Sequence, residues 1–479
     1  MSSREPRLWT NDPRASWRRV GQLVDANAIA QTVASQLAGG VFLTGFALAL
    51  GAGSLAIGVI AAIPLAAKIA QLVLSWWIER AGHWAEWAIW GAVTSRGLLL
   101  SVPVIALAHG EPRARLDLLV VVLTLSALAA SVYELSVLTW LAELIPEPLR
   151  GVFWGRRGRN AGVIGIAASI AASLLVDHDD RGANALLPRF ALVFGIGAVV
   201  GLLGVYFLAS LPRPRREHTR DTAIPLREVL RAPLHDANFR RFVLFSALWS
   251  FAAGWMAPFY MVFMLRQLGL SFLQVTLLTS LTNMLMALSQ THWGRLGDHF
   301  GTKPVLRIGA YLIALTPLAW LATAPGRAWP VIVVQVLSGF GWSAFHVSSS
   351  NLALKLAPVQ RRPSYLASFG ALSGLAEGAA PVIAGAVLSA LGSGAAPTML
   401  EYRVMMITQF VLFAIATALP RWIVEPGGQA VGHLLRVMGR FRAMDASRPV
   451  AMLFDHGYTH LARVADLIAR EFPRDAEPI

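Results

Sequence analysis

The sequence contains no cysteine among its 479 residues, which excludes disulfide bonds, cysteine metal sites and thiol redox chemistry. Charge is also scarce, because only 14% of the residues are charged whereas 56% are hydrophobic. A soluble domain carries about 25% charged residues, and so few charges do not cover the surface of a soluble protein of this size. The composition excludes a cytosolic enzyme, a disordered chain and a fibrous protein, and predicts an all-α polytopic membrane protein.

Three further signals are missing. There is no phosphate-binding loop of the form G-x-x-x-x-G-K-[ST], and therefore no sign that ATP drives the protein. The first residues, MSSREPRLWTNDPRASWRRVGQ, are polar and arginine-rich, unlike a cleaved signal peptide. No acidic cluster or His-Asp motif lies near a membrane surface, so we expect neither an enzyme nor a bound cofactor.

Long apolar stretches dominate the rest of the chain. A membrane helix needs about 20 mostly apolar residues to cross the hydrocarbon core, and the stretches lack the alternation typical of strands. The sequence predicts twelve spans, at 20–50, 54–77, 86–108, 116–143, 160–176, 188–211, 241–265, 271–293, 304–323, 329–354, 364–391 and 402–424.

The lysines and arginines test this count. With the N-terminus placed inside, 32 of the 41 lie in segments on the side of the termini, 7 lie on the opposite side and 2 lie within spans. Positive residues stay on the cytoplasmic side, so we predict a plasma (bacterial inner) membrane protein with both termini in the cytoplasm. The net charge of +14 then reflects topology and contact with anionic membrane lipids, not nucleic-acid binding.

The predicted spans form two halves of six. Residues 125–135 align with 337–347 at an offset of 212, and the same offset places Pro146 on Pro358 and Arg150 on Arg362. Several matches in order indicate an internal duplication, which is common in transporters that bind their solute between the repeats. The predicted organisation begins with a cytoplasmic N-terminus (1–19) and a six-helix bundle (20–211). A cytoplasmic loop (212–240) joins it to a second six-helix bundle (241–424), and an amphipathic cytoplasmic tail (425–479) follows.

The loop between spans 8 and 9 reads GRLGDHFGTKPVLR, in which Gly294, Asp298, Gly301 and Lys303 have a defined spacing. This loop resembles the signature loop, motif A, of the major facilitator superfamily, and the corresponding first-half loop around Glu79 and Arg80 is a degenerate version. The resemblance covers about residues 17–424. It implies that these residues gate the cytoplasmic side during transport. A tight turn that also signals topology is the alternative interpretation.

Five ionisable residues lie inside predicted spans at a similar depth, where charge is costly and usually functional: Lys68, Arg96, Glu134, His346 and Glu377. The resemblance implies that spans 1, 4, 7 and 10 line a central cavity and that Lys68 and Glu377 face each other between the halves. We predict that Glu134, His346 and Glu377 couple transport to protons.

Each of these assignments has a structural alternative. Lys68, Arg96 and Glu134 could form a buried neutralising network. His346 could be a neutral hydrogen-bonded histidine. Glu377 could belong to a close-packing face marked by Gly370, Gly374 and Gly378.

Polar and aromatic residues in the spans complete the predicted solute site. Gln31 and Gln36 in span 1 suit hydrogen bonding to a polar solute, whereas aromatic residues in such spans are more often core or interface anchors. The predicted solute-binding residues are Gln31, Gln36, Lys68, Glu134, Trp249, Tyr260, Asn283, Trp342 and His346.

Together these features predict a monomeric secondary transporter that moves a small-molecule solute by alternating access, coupled to protons or another ion. A drug efflux pump of the same fold is one alternative, although the proton-linked arginine of span 4 and the antiporter motif of span 5 are missing. A non-transporting membrane sensor that signals through its tail and a membrane-embedded enzyme are the others.

Overall fold

The computed structural model describes residues 13–81, 83–145, 147–177, 182–213, 235–358, 361–392 and 397–425. Eleven helices in this part are long and apolar enough to cross a membrane, and an apolar segment, Ser54–Lys68, lies within a further helix of 28 residues. The described part of the chain therefore has twelve helical spans, which confirms the predicted all-α membrane fold.

The first six spans are α1 to α6. Two are interrupted: α1 runs over Pro13–Leu37 and Gly40–Ala49, and α3 over Trp84–Leu99 and Ser101–Leu107. The others are α2 (Ser54–Ala81), α4 (Pro112–Leu144), α5 (Glu147–Asp177) and α6 (Gly182–Ala209).

The second six spans are α7 to α12. Here α7 (Ala237–Val262) ends in a π-helical turn, Phe263–Gln267, and α12 (Met399–Ala418) ends in a 3-10 turn, Leu419–Trp422. The others are α8 (Phe272–Phe300), α9 (Thr302–Ala314 and Thr316–Leu321), α10 (Pro330–Leu356) and α11 (Arg362–Leu391).

Several helices extend beyond the apolar stretches that predict them. Helix α5 begins at Glu147 instead of near residue 160, and α8 continues to Phe300 instead of ending near 293. The added turns are polar and arginine-containing, so they lengthen the helix without lengthening its apolar stretch. The break in α1 falls at Gly40, whose φ of +51° favours glycine because it has no Cβ.

The two halves pack in the same way. In the first half the main helix pairs are α1 with α6, α1 with α5, α3 with α4 and α2 with α4. In the second half they are α7 with α12, α7 with α11, α9 with α10 and α8 with α10. Adding six to each helix number converts one set into the other, as expected for a duplicated sequence.

The halves meet through α2 against α11 and α5 against α8. We call the end of the bundle where α1 begins and α12 ends the terminal face, and the opposite end the distal face. Because the chain alternates in direction, Asp177 and the start of α8 lie at the distal face, whereas Gly301 and the end of α10 lie at the terminal face.

Buried apolar residues join the halves only near the distal face, as far as the described residues show. The largest buried cluster contains Phe46 and Phe190 from the first half together with Trp255, Phe259 and Phe263 from the second. The clusters nearer the terminal face each belong to one half. The bundle is therefore closed at the distal face.

Candidate solute cleft between the two halves

The contact between α2 and α11 becomes looser towards the terminal face. Near the distal face a Cβ added to Gly385 would lie 2.6 Å from the Ser54 carbonyl oxygen, and one on Gly58 would lie 2.1 Å from the Pro381 carbonyl oxygen. Closer to mid-span, a Cβ on Gly378 would lie 3.2 Å from Leu65 Cβ. These distances show that the helices touch along their distal halves.

Beyond that point the described side chains show no further contact between the two helices. A Cβ added to Gly374 or Gly370 would meet no described atom within 4 Å. Among the described side chains, the expected packing face of Gly370, Gly374 and Gly378 contacts α2 at Gly378, and this contact continues towards the distal face.

The contact between α5 and α8 shows the same asymmetry. At the distal end both carboxylate oxygens of Asp177 accept backbone hydrogen bonds, from Phe272 N at 3.0 Å and Leu273 N at 2.7 Å. Towards the terminal face, a Cβ on Gly158 or Gly162 of α5, both of which are exposed, would meet no described atom within 4 Å. A cleft between the halves thus opens to the terminal face.

The ring of Phe272 contributes to the distal closure. It lies edge-on to Phe190, with ring centroids 5.6 Å apart. A Cβ on Gly45 would lie 2.4 Å from the Phe272 ring, so only glycine leaves room for it. We call Gly45, Asp177, Phe190, Phe272 and Leu273 the distal gate.

A polar network fills the interior of the first half at mid-depth. The Gln31 amide donates to the Gly201 carbonyl at 3.1 Å and accepts from Arg96 Nε at 2.7 Å. Asn27 donates to the Gly204 carbonyl at 2.8 Å and accepts from the Tyr133 hydroxyl at 3.3 Å. Gln31, predicted to bind solute, is only 7% exposed, and in this structure its amide group bonds Arg96 and the Gly201 carbonyl.

Glu134 lies beside this network on the cleft side of α4. Leu125, which is 49% exposed on the outer surface, precedes it by nine residues, or about two and a half helical turns. Glu134 therefore lies on the opposite face of the helix, where it is exposed. Its charge acts on Arg96, although no salt bridge within 4 Å joins the two residues.

Lys68 and Glu377 lie together where α2 and α11 begin to separate. Glu377 precedes Gly378, which packs on Leu65 one turn before Lys68. The two charges interact electrostatically without a salt bridge within 4 Å. The resemblance-based expectation that these residues face each other across the halves agrees with this arrangement.

On the second half, Trp342 and His346 form a pair on α10. Their rings stack with centroids 5.3 Å apart and an interplanar angle of 24°. Neighbouring positions fix the direction of this face, because Phe345 stacks on Trp249 of α7 and Ser343 donates to the Met286 carbonyl of α8. The pair lies between those two contacts, on the side of α10 that faces the cleft.

Trp249 and Tyr260 lie inside the second half instead. Trp249 is 1% exposed in an aromatic cluster. The Tyr260 hydroxyl donates to Gln409, and its ring stacks on Trp320 with centroids 4.5 Å apart. Asn283 and Gln36 are exposed.

The structure thus brings five of the predicted residues to the interface between the halves: Lys68, Glu134, Trp342, His346 and Glu377. Trp249 and Tyr260 lie inside the second half instead.

The predicted gating loop turns tightly at the terminal face, where Gly301 has a φ of +94°. Asp298 is exposed and makes no hydrogen bond or ion pair with another described residue. Lys303 donates to the Ile423 carbonyl at 2.6 Å, so it binds the end of α12 rather than Asp298. A Cβ added to Gly294 would lie 4.0 Å from Val347 Cγ1, at van der Waals distance, and the side chains of Glu79 and Arg80 lie outside the described residues.

Glu425 organises this region, which sequence reasoning did not identify. Its carboxylate accepts from Thr302 N at 2.9 Å and Lys303 N at 2.7 Å, and pairs with Lys355 at 2.9 Å. Burial opposes its ionisation, but the Lys303 N–H, Lys355 and the Thr302 N–H outweigh that effect and hold the pKa of Glu425 below its ordinary value. A carboxylate at a helix start is also favoured by the helix dipole. The predicted tail helix lies outside the described residues.

Comparisons with known proteins agree with this geometry. The family model described as Major Facilitator Superfamily matches residues 243–436. A mutant form of the nucleoside transporter NupG superposes with a TM-score of 0.67 at 12% identity, over 85% of this chain and 100% of NupG. A D-xylose-proton symporter superposes with a TM-score of 0.67 at 15% identity, over 86% of this chain and 98% of the symporter.

One structural relative was solved in two states. A bacterial homologue of the iron transporter ferroportin, 15% identical, superposes with a TM-score of 0.60 in its inward-facing state and 0.54 in its outward-facing state, over 84% of this chain and 98% of that chain. No curated protein sequence matches this chain significantly. At these identities the structural comparisons show the fold.

Proposed function

We propose that the chain is a secondary active transporter of the major facilitator superfamily, which carries a small solute by alternating access and couples this movement to protons. The family model and the solved transporters to which the chain is similar support a transporter rather than an enzyme. The single observation that carries the proposal is the asymmetric contact between the halves, which in the described residues is closed at the distal gate and open towards the terminal face. Two halves that touch at one end only can rock about the site between them.

The charge distribution supports cytoplasmic placement of the terminal face. The segments that the sequence predicts on the side of the termini hold 32 of the 41 lysines and arginines, as the positive-inside rule requires of cytoplasmic segments. With this orientation the structure is inward-facing.

The proposed proton carriers are Glu134, His346 and Glu377. All three lie at the interface between the halves, and water entering from the terminal face can reach them in the present state. Closing that face would place these groups in a drier environment, which disfavours charge on a carboxylate. An environment that changes with conformation is what coupling of proton binding to transport requires.

Single cysteines in this cysteine-free chain test the proposal. We would label two variants in proteoliposomes with membrane-impermeant thiol reagents added on either side. Gly374→Cys lies in the open cleft, and Met256→Cys replaces a fully buried residue of the distal cluster. Gly110→Cys, in the open distal loop before α4, is the control whose labelling should stay constant.

We expect Gly374→Cys to react from the terminal side only, and Met256→Cys to react from the distal side only after the protein changes state. An imposed proton gradient or a transported solute should slow the first reaction and accelerate the second. Labelling that never responds to any pH gradient or solute would contradict alternating access.

A further inference from the structure

We propose that the transported solute is an anion whose carboxylate or phosphate group binds the guanidinium of Arg96. This inference rests on the transport function proposed above and specifies the class of solute. It uses a residue that the predicted solute site omits. Four observations carry it: how Arg96 is held, which part of it is left available, which charges surround it, and what an arginine costs at this depth.

The first observation is that Arg96 is held in one position. Its Nε donates to Gln31 at 2.7 Å, and Gln31 is itself fixed because its amide group donates to the Gly201 carbonyl. The arginine side chain crosses Gly201 closely, since a Cβ there would lie 2.9 Å from Arg96 Cδ and 3.2 Å from Arg96 Cγ. The absence of a side chain at Gly201 therefore makes room for Arg96, and Gln31 sets its orientation.

The second observation is that this arrangement uses only Nε. The two terminal nitrogens of Arg96 make no hydrogen bond with a described residue, and they are not among the buried polar atoms that lack a partner. They therefore retain accessible surface. Two parallel N–H groups on this end of a guanidinium match the two oxygens of a carboxylate or a phosphate.

The third observation is the set of neighbouring charges. Two arginines act on the Tyr133 hydroxyl, Arg96 from α3 and Arg157 from α5. Glu134 is the carboxylate whose charge acts on Arg96, yet no described carboxylate lies within 4 Å of it. Asp25 acts in turn on Arg157, so in the described part of the chain the arginine of the two that lacks a carboxylate at ion-pair distance is Arg96.

The fourth observation is the depth of Arg96. It lies 12 residues after the start of α3 at Trp84, or about 18 Å along the helix. A cation at such depth is costly, and such residues mark solute or ion pathways. An arginine that only stabilised the bundle would be expected to pair directly with an acid, whereas Arg96 bonds a neutral amide. An anion in the cleft would supply the missing charge.

Thermal unfolding of the purified full chain tests the inference, with the intrinsic tryptophan fluorescence as the signal. The probes are inorganic phosphate, glycerol 3-phosphate, acetate, benzoate and succinate, each at constant ionic strength. Glycerol, acetamide, benzamide and succinamide are the uncharged counterparts. The variants are Arg96→Gln and Arg96→Lys, and Arg327→Gln in an exposed distal loop is the matched control.

We expect at least one anion, but not its uncharged counterpart, to raise the unfolding midpoint. Its apparent affinity should fall about tenfold or more in Arg96→Gln, because a charge-assisted hydrogen bond is lost. Arg96→Lys should lose most of the effect, since it lacks the planar pair of donors, and Arg327→Gln should keep all of it. If Arg96→Gln does not fold, Arg96→Lys decides the outcome.

Three results would overturn the inference: anions that act equally on wild type and the Arg96 variants, stabilisation by the uncharged probes alone, or no response to any anion. The cysteine-labelling experiment separates this failure from failure of the transport proposal. Reciprocal labelling induced by an uncharged solute would leave alternating access standing without the anion site. Anion binding that depends on Arg96, without any change in labelling, would support the anion site and contradict alternating access.

Discussion

The carboxylate of Asp177 accepts a hydrogen bond of 3.0 Å from the backbone N–H of Phe272, across the boundary between the two halves. A second bond, from Leu273 N at 2.7 Å, uses the other carboxylate oxygen. Both donors are free N–H groups at the start of α8, where the helix dipole favours an anion. The last residue of α5 thus caps a helix of the other half, and the bundle cannot open at the distal face without breaking this cap.

We predict that Asp177→Ala shifts the protein towards the distal-open state. Hydrogen bonds to charged groups contribute about 1.5–3 kcal/mol, so the opening equilibrium should change by at least about tenfold. The measurement is the labelling rate of Met256→Cys from the distal side. Asp117→Ala removes an exposed carboxylate near the same face and should change nothing. An unaltered labelling rate in Asp177→Ala would show that the cap does not control opening.

A second prediction concerns Gly45, which leaves room for the Phe272 ring. An alanine Cβ would lie 2.4 Å from that ring and 3.0 Å from Phe190, so at least one ring must move. Gly45→Ala should therefore favour the distal-open state and accelerate labelling of Met256→Cys.

Adding Phe272→Leu should relieve the Gly45→Ala clash, so that the two substitutions are not additive. Gly97→Ala is the matched control, because a Cβ at Gly97 meets nothing within 4 Å. Slow labelling of the Gly45→Ala protein, equal to that of the control, would mean that the ring adjusts without opening the gate.

Much of the fold follows from the sequence because twelve long apolar stretches leave few alternatives in a membrane. The repeat offset of 212 residues also anticipates the equivalent packing of the two halves. The meeting of Lys68 and Glu377 could be predicted because their positions follow from family topology and depth. These features depend on composition, length and order along the chain.

The distal gate was not predicted, because Asp177 bonds backbone N–H groups of a helix that begins 95 residues later. Because a backbone N–H group does not depend on the residue type, the sequence does not indicate which N–H groups a carboxylate will bond. Trp249 and Tyr260 were predicted at the solute site for a related reason. Helix α7 is apolar on all sides, so its sequence does not distinguish the face towards the cleft from the face within its own bundle.

The Lys68–Glu377 pair gives a third prediction. Glu377→Lys would place two positive charges where α2 and α11 begin to separate. Repulsion should hold the terminal face open, and labelling of Gly374→Cys should no longer slow under an imposed proton gradient. Reversing both charges, as Lys68→Glu with Glu377→Lys, should restore that response in part. If the double variant behaves like Glu377→Lys alone, the two residues do not act as a pair.

The last prediction concerns Glu425, whose side chain is 2% exposed. Glu425→Ala would leave Thr302 N, Lys303 N and Lys355 without this partner, and losing one such bond costs about 1–3 kcal/mol. The unfolding midpoint should therefore fall at neutral pH, whereas Glu111→Ala, at an exposed distal site, should not change it. Because the pKa of folded Glu425 lies below its ordinary value of 4.5, the stabilisation is complete above that pH and is lost as the pH falls through the lower folded value. The difference between wild type and Glu425→Ala should consequently disappear only in strong acid, and a difference that vanished already near neutral pH would assign the effect to another group.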